Sequence, residues 1–161
     1  MQKSSSPNLN RRRFLQTTGA GVALFNILPG SVLRGAETSP NAKLNIAGIG
    51  IGSRGGAIIG EVASLGHNIV ALCDVDENYA AKEFAKYPNA KRFVDYRDML
   101  DKMGKEIDGV MIGTPDHTHT VIALEAMRRG KHVYCEKPLA HKVEEIRKLM
   151  SVARETKVVT Q

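Results

Sequence analysis

No acidic residue occurs among the first 36 residues of this sequence, although the chain as a whole carries 17. The same segment contains five of the 23 lysines and arginines, namely Lys3, Arg11, Arg12, Arg13 and Arg34. Residues 37–161 therefore hold 18 basic residues and 17 acidic ones, so most of the net charge of +6 belongs to the N-terminal segment. A domain that binds nucleic acid needs positive charge on its folded surface. The nearly neutral body of the chain argues against nucleic acid as a partner.

The sequence also lacks a long uninterrupted apolar run. Its best candidate, 17–33, is diluted by glycine, asparagine and proline, which makes it too short and too broken for a membrane span. A basic stretch, "NRRRFLQ" (10–16), precedes it, and this order is typical of a secretory signal. The arginine pair followed by Phe14 and Leu15 resembles the twin-arginine export signal.

We therefore expect residues 1–36 to be a twin-arginine signal peptide and residues 37–43 to be a polar linker. Export to the bacterial periplasm through the twin-arginine machinery follows from this interpretation. Cleavage near Ala36 and retention as a membrane anchor are both compatible with the pattern.

Cysteine is scarce, since only Cys73 and Cys135 are present, and they could form one disulfide in an oxidising compartment. Both lie at the ends of predicted strands, and the topology predicted below places two other strands between them. At a strand spacing of roughly 4.8 Å they would be about 14 Å apart, which is beyond the reach of a disulfide. We expect two free thiols.

From residue 44 onward, short apolar runs that end in turns alternate with amphipathic helical patterns. The predicted strands cover residues 44–50, 68–74, 90–94, 107–114, 131–136 and 157–161. Apolar side chains predict the buried faces of the helices between them: Ile58, Val62 and Leu65; Tyr79, Phe84 and Ala85; residues 96–103; Val121, Leu124 and Met127; Val143, Ile146, Met150 and Ala153. This alternation predicts an α/β fold with a doubly wound parallel sheet, the Rossmann type, in the order 3-2-1-4-5-6.

The turn after the first predicted strand is rich in glycine. It matches G-x-G-x-x-G and consists of Gly50, Ile51, Gly52, Ser53, Arg54 and Gly55. In a dinucleotide-binding domain, the first glycine permits the tight turn and the second lets the backbone approach a pyrophosphate. The third lets the helix pack closely on the strand. The start of the helix then offers N–H groups and its positive dipole end to phosphate.

An acidic residue follows at the distance that such a domain requires. Asp74 ends the second predicted strand, where its carboxylate can accept hydrogen bonds from the adenosine ribose. The same carboxylate would repel a 2′-phosphate, and no arginine follows within "DVDEN" to neutralise one. The cofactor expected here is NAD, with NADP less favoured. Asp76 is the better candidate for capping the next helix.

Polar residues also follow the fourth predicted strand, in "GTPDHTHT" (113–120). Thr114 and Pro115 fix the exit of the chain, and Asp116 can cap the next helix. His117 and His119 fall in its first turn, but their i, i+2 spacing directs the two rings to different sides. We therefore predict no metal site.

The fifth predicted strand ends in Glu136, Lys137 and Pro138, at the crevice that the nicotinamide would reach. A lysine there can bind a substrate oxygen and stabilise charge on it during hydride transfer. Glu136 could hold that ammonium group or contact the nicotinamide ribose. Pro138 could fix the turn through a cis peptide bond.

Together, "GIGIGSRGG", "ALCDVD", "TPDHTH" and "GKHVYCEKPLA" resemble the N-terminal half of the Gfo/Idh/MocA oxidoreductases, the glucose–fructose oxidoreductase and inositol dehydrogenase family. The resemblance covers residues 43–161. It implies a nicotinamide-dependent domain that acts on sugars or polyols, with Lys137 assisting hydride or proton transfer. In the family pattern T-P-x-x-x-H, Thr114, Pro115 and His119 match and are expected to line the cofactor pocket.

Members of this family continue into a second α/β domain that supplies most substrate contacts. We therefore expect residues 44–161 to be the cofactor domain of a longer protein. A homo-oligomer formed through the second domain is compatible with this interpretation. Three functions fit. The first is an exported oxidoreductase that acts on a sugar or polyol CH–OH group and holds its cofactor tightly. The second is an NAD-dependent, redox-neutral glycoside hydrolase, and the third is a non-catalytic dinucleotide-binding module.

Overall fold

The structure, a computed structural model, describes residues 43–161. The expected signal peptide and residues 37–42 of the expected linker lie outside the described residues. The strands are β1 (Asn45–Ile49), β2 (Asn68–Cys73), β3 (Lys91–Phe93), β4 (Gly109–Ile112) and β5 (His132–Cys135). The helices are α1 (Arg54–Ser64), α2 (Ala81–Lys86), α3 (Tyr96–Met103), α4 (Asp116–Arg128) and α5 (Val143–Thr156). None of these helices in residues 43–161 has the length and apolar content that crossing a membrane requires.

The five strands form one parallel sheet in the order β3-β2-β1-β4-β5. This confirms the doubly wound Rossmann fold, in which the order of strand addition reverses between β1 and β4. The predicted sixth strand is present only as a single parallel bridge between Thr160 and Val133. It lies beside β5, where the order 3-2-1-4-5-6 requires it. Backbone hydrogen bonds join Val133 to Val159 and Gln161, and Cys135 to Gln161.

The sheet is covered on both faces, which is why its central strands are apolar without alternation. Successive residues of β1 belong to opposite sides: Ile46 packs with α1 and α2, whereas Ala47 packs with α3, α4 and α5. All four residues of β4 are buried. Because helices cover both faces of the sheet, a ligand site is expected at the ends of the strands.

Six side chains that the helical patterns assigned to buried faces are exposed instead: Leu65, Tyr79, Ala85, Val121, Val143 and Met150. Leu65 lies just past the end of α1, whose buried isoleucines are Ile58 and Ile59. Tyr79 precedes α2, which begins only at Ala81. These differences arise because the helices end earlier, start later or rotate by one position relative to the pattern.

Both cysteines are free thiols, as expected. Cys73 ends β2 and Cys135 ends β5. The strands β1 and β4 separate them in the sheet.

Candidate cofactor and active site

A cleft of about 670 Å³ opens at the carboxyl ends of the strands, at the point between β1 and β4 where the strand order reverses. Volumes of this size are typical of small-molecule and cofactor sites. Its walls come from the turn after β1, the exits of β2, β3 and β4, and one side of α4. The lining residues include Gly50, Gly52, Ser53, Arg54, Asp74, Val75, Asp76, Tyr79, Tyr96, Thr114, Pro115, His117 and Thr118.

The glycine turn is built as the sequence predicts. Gly50 has a φ of +76°, and a Cβ there would lie 2.6 Å from the backbone nitrogen of Thr114. A Cβ on Gly55 would overlap the carbonyl oxygen of Gly50. Close packing of the turn, the first helix and the exit of β4 therefore excludes any side chain at these two positions. Ile51 is fully buried beneath the turn, so its side chain packs in the core and does not face the cleft.

The helix that follows begins with a free N-terminal turn. Ser53 precedes α1 but makes no side-chain capping bond, and the first turn contains no acidic residue. Ser53 and Arg54 both line the cleft. Because uncapped N–H groups at a helix start bind anions, this end of α1 is suited to a phosphate.

Asp74 lies at the exit of β2 and is 9% exposed. Its Oδ2 accepts a hydrogen bond from the N–H of Gly52 at 2.8 Å, and its Oδ1 accepts one from the N–H of Asp76 at 3.0 Å. The two bonds fix the carboxylate beside the glycine turn. Asp76 accepts a bond from the N–H of Tyr79 at 2.9 Å, so it stabilises the turn before α2 and does not cap the helix itself.

Aromatic residues line the cleft at positions that the sequence did not assign to it. The ring of Tyr79 lies directly against Gly52, where a Cβ would collide with it. Tyr96, from the start of α3, belongs to the same cleft. The sequence pattern assigns Tyr79 and Phe84 to the buried face of a helix. Only the position of Tyr79, a few residues after Asp74, could have indicated that its side chain lines the cleft.

At the exit of β4, Thr114 and Pro115 line the cleft. The Thr114 hydroxyl accepts a hydrogen bond from that of Thr118 at 2.8 Å. His119 differs from the prediction: it is 1% exposed and lies behind Thr114, outside the cleft lining. Its Nε2 is 2.8 Å from the carbonyl oxygen of Thr114, and its Nδ1 is 2.9 Å from that of Pro138.

The residues at the exit of β5 stand beside the cleft and do not line it. Glu136 accepts a hydrogen bond from Nε of Arg54 at 3.0 Å through Oε1, and one from the N–H of Lys137 at 3.2 Å through Oε2. Glu136 is therefore ion-paired with Arg54 and does not hold the Lys137 ammonium group. Lys137 is exposed, and the peptide bond to Pro138 is cis, as expected.

The loop that follows is tied to the start of α4. Nε2 of His141 lies 2.9 Å from Oδ2 of Asp116, whose Oδ1 accepts a bond from the N–H of His117. The hydrogen bond from His141 lowers the pKa of Asp116 below its ordinary value. Within residues 43–161, no group of three or more histidine, cysteine, aspartate or glutamate side chains is placed to hold a metal ion.

A parallel doubly wound sheet, a glycine turn without room for side chains and a fixed acid at the end of β2 define a dinucleotide-binding Rossmann domain. The chain belongs to the Gfo/Idh/MocA oxidoreductase family with an NAD-binding Rossmann fold, whose family model matches residues 44–161. NAD is thus the cofactor of this domain.

Two curated relatives carry names of another reaction class. A glycosyl hydrolase family 109 protein from Solibacter usitatus is 31% identical over 97% of this chain, and an alpha-N-acetylgalactosaminidase from Shewanella oneidensis is 29% identical over 92%. This chain spans 38% of the length of each.

Among solved structures, the WlbA dehydrogenase from Bordetella pertussis, in complex with NADH and UDP-GlcNAcA, is similar to this chain with a TM-score of 0.66. The two are 27% identical, and the match covers 73% of this chain and 36% of that one. The similarity is therefore to the cofactor-binding part of a longer enzyme.

Proposed function

We propose that the intact protein is an exported, NAD-dependent oxidoreductase that acts on the CH–OH group of a sugar or polyol. The observation that carries this proposal is the contact between Asp74 and Gly52, which places a carboxylate for ribose beside a backbone suited to diphosphate. In this proposal, the backbone from Gly50 to Gly55 holds the diphosphate, and Thr114 and Pro115 flank the nicotinamide side. The bound nicotinamide supplies the site that accepts a hydride.

The preference for NAD over NADP rests on charge at the exit of β2. Asp74 is fixed by two backbone N–H groups, and Asp76 lines the same cleft. A 2′-phosphate placed there would meet two carboxylates in a partly buried site, where like charges repel strongly. Arg54 is nearby but is ion-paired with Glu136.

Lys137 is the proposed catalytic residue. It follows β5, the strand next to β4, so the parallel sheet brings it to the same edge as Thr114. Because Glu136 is engaged by Arg54, the Lys137 ammonium group is available to a substrate oxygen. There it would stabilise charge on that oxygen as the hydride leaves the carbon.

Export and tight cofactor binding form one linked proposal. The basic N-terminal segment suggests the twin-arginine route, which carries folded proteins, and free NAD is scarce outside the cytoplasm. A protein exported in this way would leave with its cofactor bound and regenerate it in place. Purification from the periplasm with stoichiometric nucleotide supports this proposal, whereas an empty site that exchanges NAD freely contradicts it.

The second candidate is a redox-neutral glycoside hydrolase that oxidises a sugar carbon transiently, eliminates the aglycone, adds water and restores the cofactor. NAD-dependent glycosidases of this kind are a recognised exception to the two-carboxylate mechanism. The similarity to glycosyl hydrolase family 109 proteins favours this candidate specifically.

One experiment separates the two candidates. The intact protein is assayed on a chromogenic glycoside without an electron acceptor, and on free sugars and polyols with an external acceptor. Oxidation that depends on the acceptor supports the oxidoreductase, and glycoside cleavage without it supports the hydrolase. Lys137→Ala should lower whichever activity is found, whereas Lys148→Ala, an exposed change on α5, should not. If the intact wild-type protein does not bind NADH in a fluorescence titration, both candidates are refuted.

A further inference from the structure

His119 is a buried imidazole with a backbone carbonyl on each side. Only 1% of the residue is exposed, yet each ring nitrogen has an acceptor within 3 Å, Thr114 on one side and Pro138 on the other. A neutral imidazole has one N–H and the imidazolium has two, so the ring donates to one or both of these carbonyls. Burial without such partners would cost free energy.

The two carbonyls belong to different parts of the site. Thr114 lines the cofactor cleft, and its backbone is in close contact with Gly50 of the glycine turn. Pro138 directly follows Lys137 at the exit of β5. The ring of His119 therefore lies between the wall of the cofactor cleft and the turn that carries the proposed catalytic lysine, within 3 Å of a carbonyl oxygen of each.

We propose that His119 is a positioning residue that sets the distance between the nicotinamide side of the cleft and Lys137, and that it does not itself contact the cofactor. This inference rests on the proposed function. The physical reason is that hydride transfer is sensitive to small displacements, and an error of about 1 Å can lower a rate by about 100-fold. Loss of the polar contacts of the His119 ring would free the turn that carries Lys137, while the glycine turn and Asp74 would stay in place.

The test compares three variants of the intact protein. His119→Phe keeps a planar ring without hydrogen bonds, and His119→Gln keeps an N–H donor. His132→Phe is the matched control, because His132 also bonds to a backbone group, the N–H of Val159, but lies at the opposite end of β5. Each variant is checked for folding by thermal unfolding and for NADH affinity by fluorescence titration. Its kcat and KM are measured in whichever of the two assays described above, on a chromogenic glycoside or on a sugar or polyol with an acceptor, the wild type shows activity.

For His119→Phe, we expect the Kd for NADH to stay within about 3-fold while kcat falls by about 10- to 100-fold, with KM changing less. His119→Gln should recover part of the lost kcat, and His132→Phe should keep the wild-type kcat. The inference is overturned if folded His119→Phe keeps its kcat, or if its NADH affinity falls as much as its kcat. Should His119→Phe fail to fold, His119→Leu, which also lacks hydrogen-bonding groups, takes its place and the same two criteria apply to it. A wild-type protein that binds no NADH would refute the proposed function instead.

Discussion

Replacing Gly50 by alanine tests whether the glycine turn is built by close packing or only by chain flexibility. The φ of +76° places alanine in the left-handed region, at a cost of about 1–2 kcal/mol. The added Cβ would also lie 2.6 Å from the nitrogen and 2.7 Å from the Cα of Thr114, which are backbone atoms that cannot rotate away. Overpacking of this kind costs about 1–3 kcal/mol more.

Gly130 offers a matched control. Its φ of +73° is nearly the same, but nothing lies within 4 Å of the position that a Cβ would take. Gly130→Ala therefore carries the backbone strain without the steric overlap, and the gain of about 0.4–1 kcal/mol from a stiffer unfolded chain is common to both variants. The difference between the two free energies of unfolding isolates the close approach, and we expect it to be about 1–3 kcal/mol.

The assay is denaturant unfolding of the intact protein, combined with NADH titration. Gly50→Ala should be less stable than Gly130→Ala and should bind NADH at least about 10-fold more weakly, since accommodating the Cβ shifts the turn that faces the diphosphate. Gly130→Ala should bind NADH like the wild type. Equal stability of the two variants with unchanged NADH affinity would refute the packing that places the cofactor at this turn.

Three further outcomes follow from single features of the site and its helices. Asp74→Asn should weaken NAD binding by about 10- to 100-fold, because the single oxygen of an amide can accept only one of the two charge-assisted hydrogen bonds from the adenosine ribose, worth about 1.5–3 kcal/mol each. The same change should lower the preference for NAD over NADP, because the charge that repels a 2′-phosphate is lost. Burial raises the pKa of both Cys73 and Cys135 to about 12, so alkylation of the native thiols at pH 8 should be at least about 10-fold slower than in the unfolded chain. Gly60→Ala, in the middle of α1 with no atom near the new Cβ, should stabilise the fold by about 0.5–1 kcal/mol.

These three outcomes have distinct readouts. Titrations with NADH and NADPH decide the first, and an unchanged ratio of the two affinities would contradict it. Mass spectrometry of alkylated protein decides the second, and fast native labelling at pH 8 would show that the thiols are accessible. Denaturant unfolding decides the third, and a destabilised Gly60→Ala would mean that α1 has less space at this position than the structure gives it.

The fold was predictable from the sequence because apolar residues are spaced differently in the central strands and in the helices. The runs at β1 and β4 are apolar without alternation, as strands covered on both faces must be. The sixth strand was less predictable, since "KVVTQ" has strand-forming residues but makes only one bridge. A β-forming composition states that a segment fits a pleated surface and does not fix how many of its residues pair.

The candidate site was predictable where one backbone segment carries it. Gly50, Gly52, Gly55 and Asp74 lie within one β-α-β unit, so their spacing in the sequence fixes their spacing in space. Partners from distant loops were not predictable in this way. The pairing of Glu136 with Arg54 joins residues 82 positions apart, and sequence alone offered Lys137 as an equally plausible partner.

The two proposed reactions would begin with the same step, removal of a hydride from a sugar carbon, so one cofactor domain could serve either. In both proposals Asp74, the glycine turn and Lys137 would act before the reactions diverge, so their geometry would place no constraint on what happens to the oxidised sugar. Divergence requires either an acceptor that removes the electrons or a leaving group that can be eliminated next to the new carbonyl. Under either proposal this domain would hold the hydride acceptor, which fits its similarity both to a protein named a dehydrogenase and to a protein named a glycosyl hydrolase.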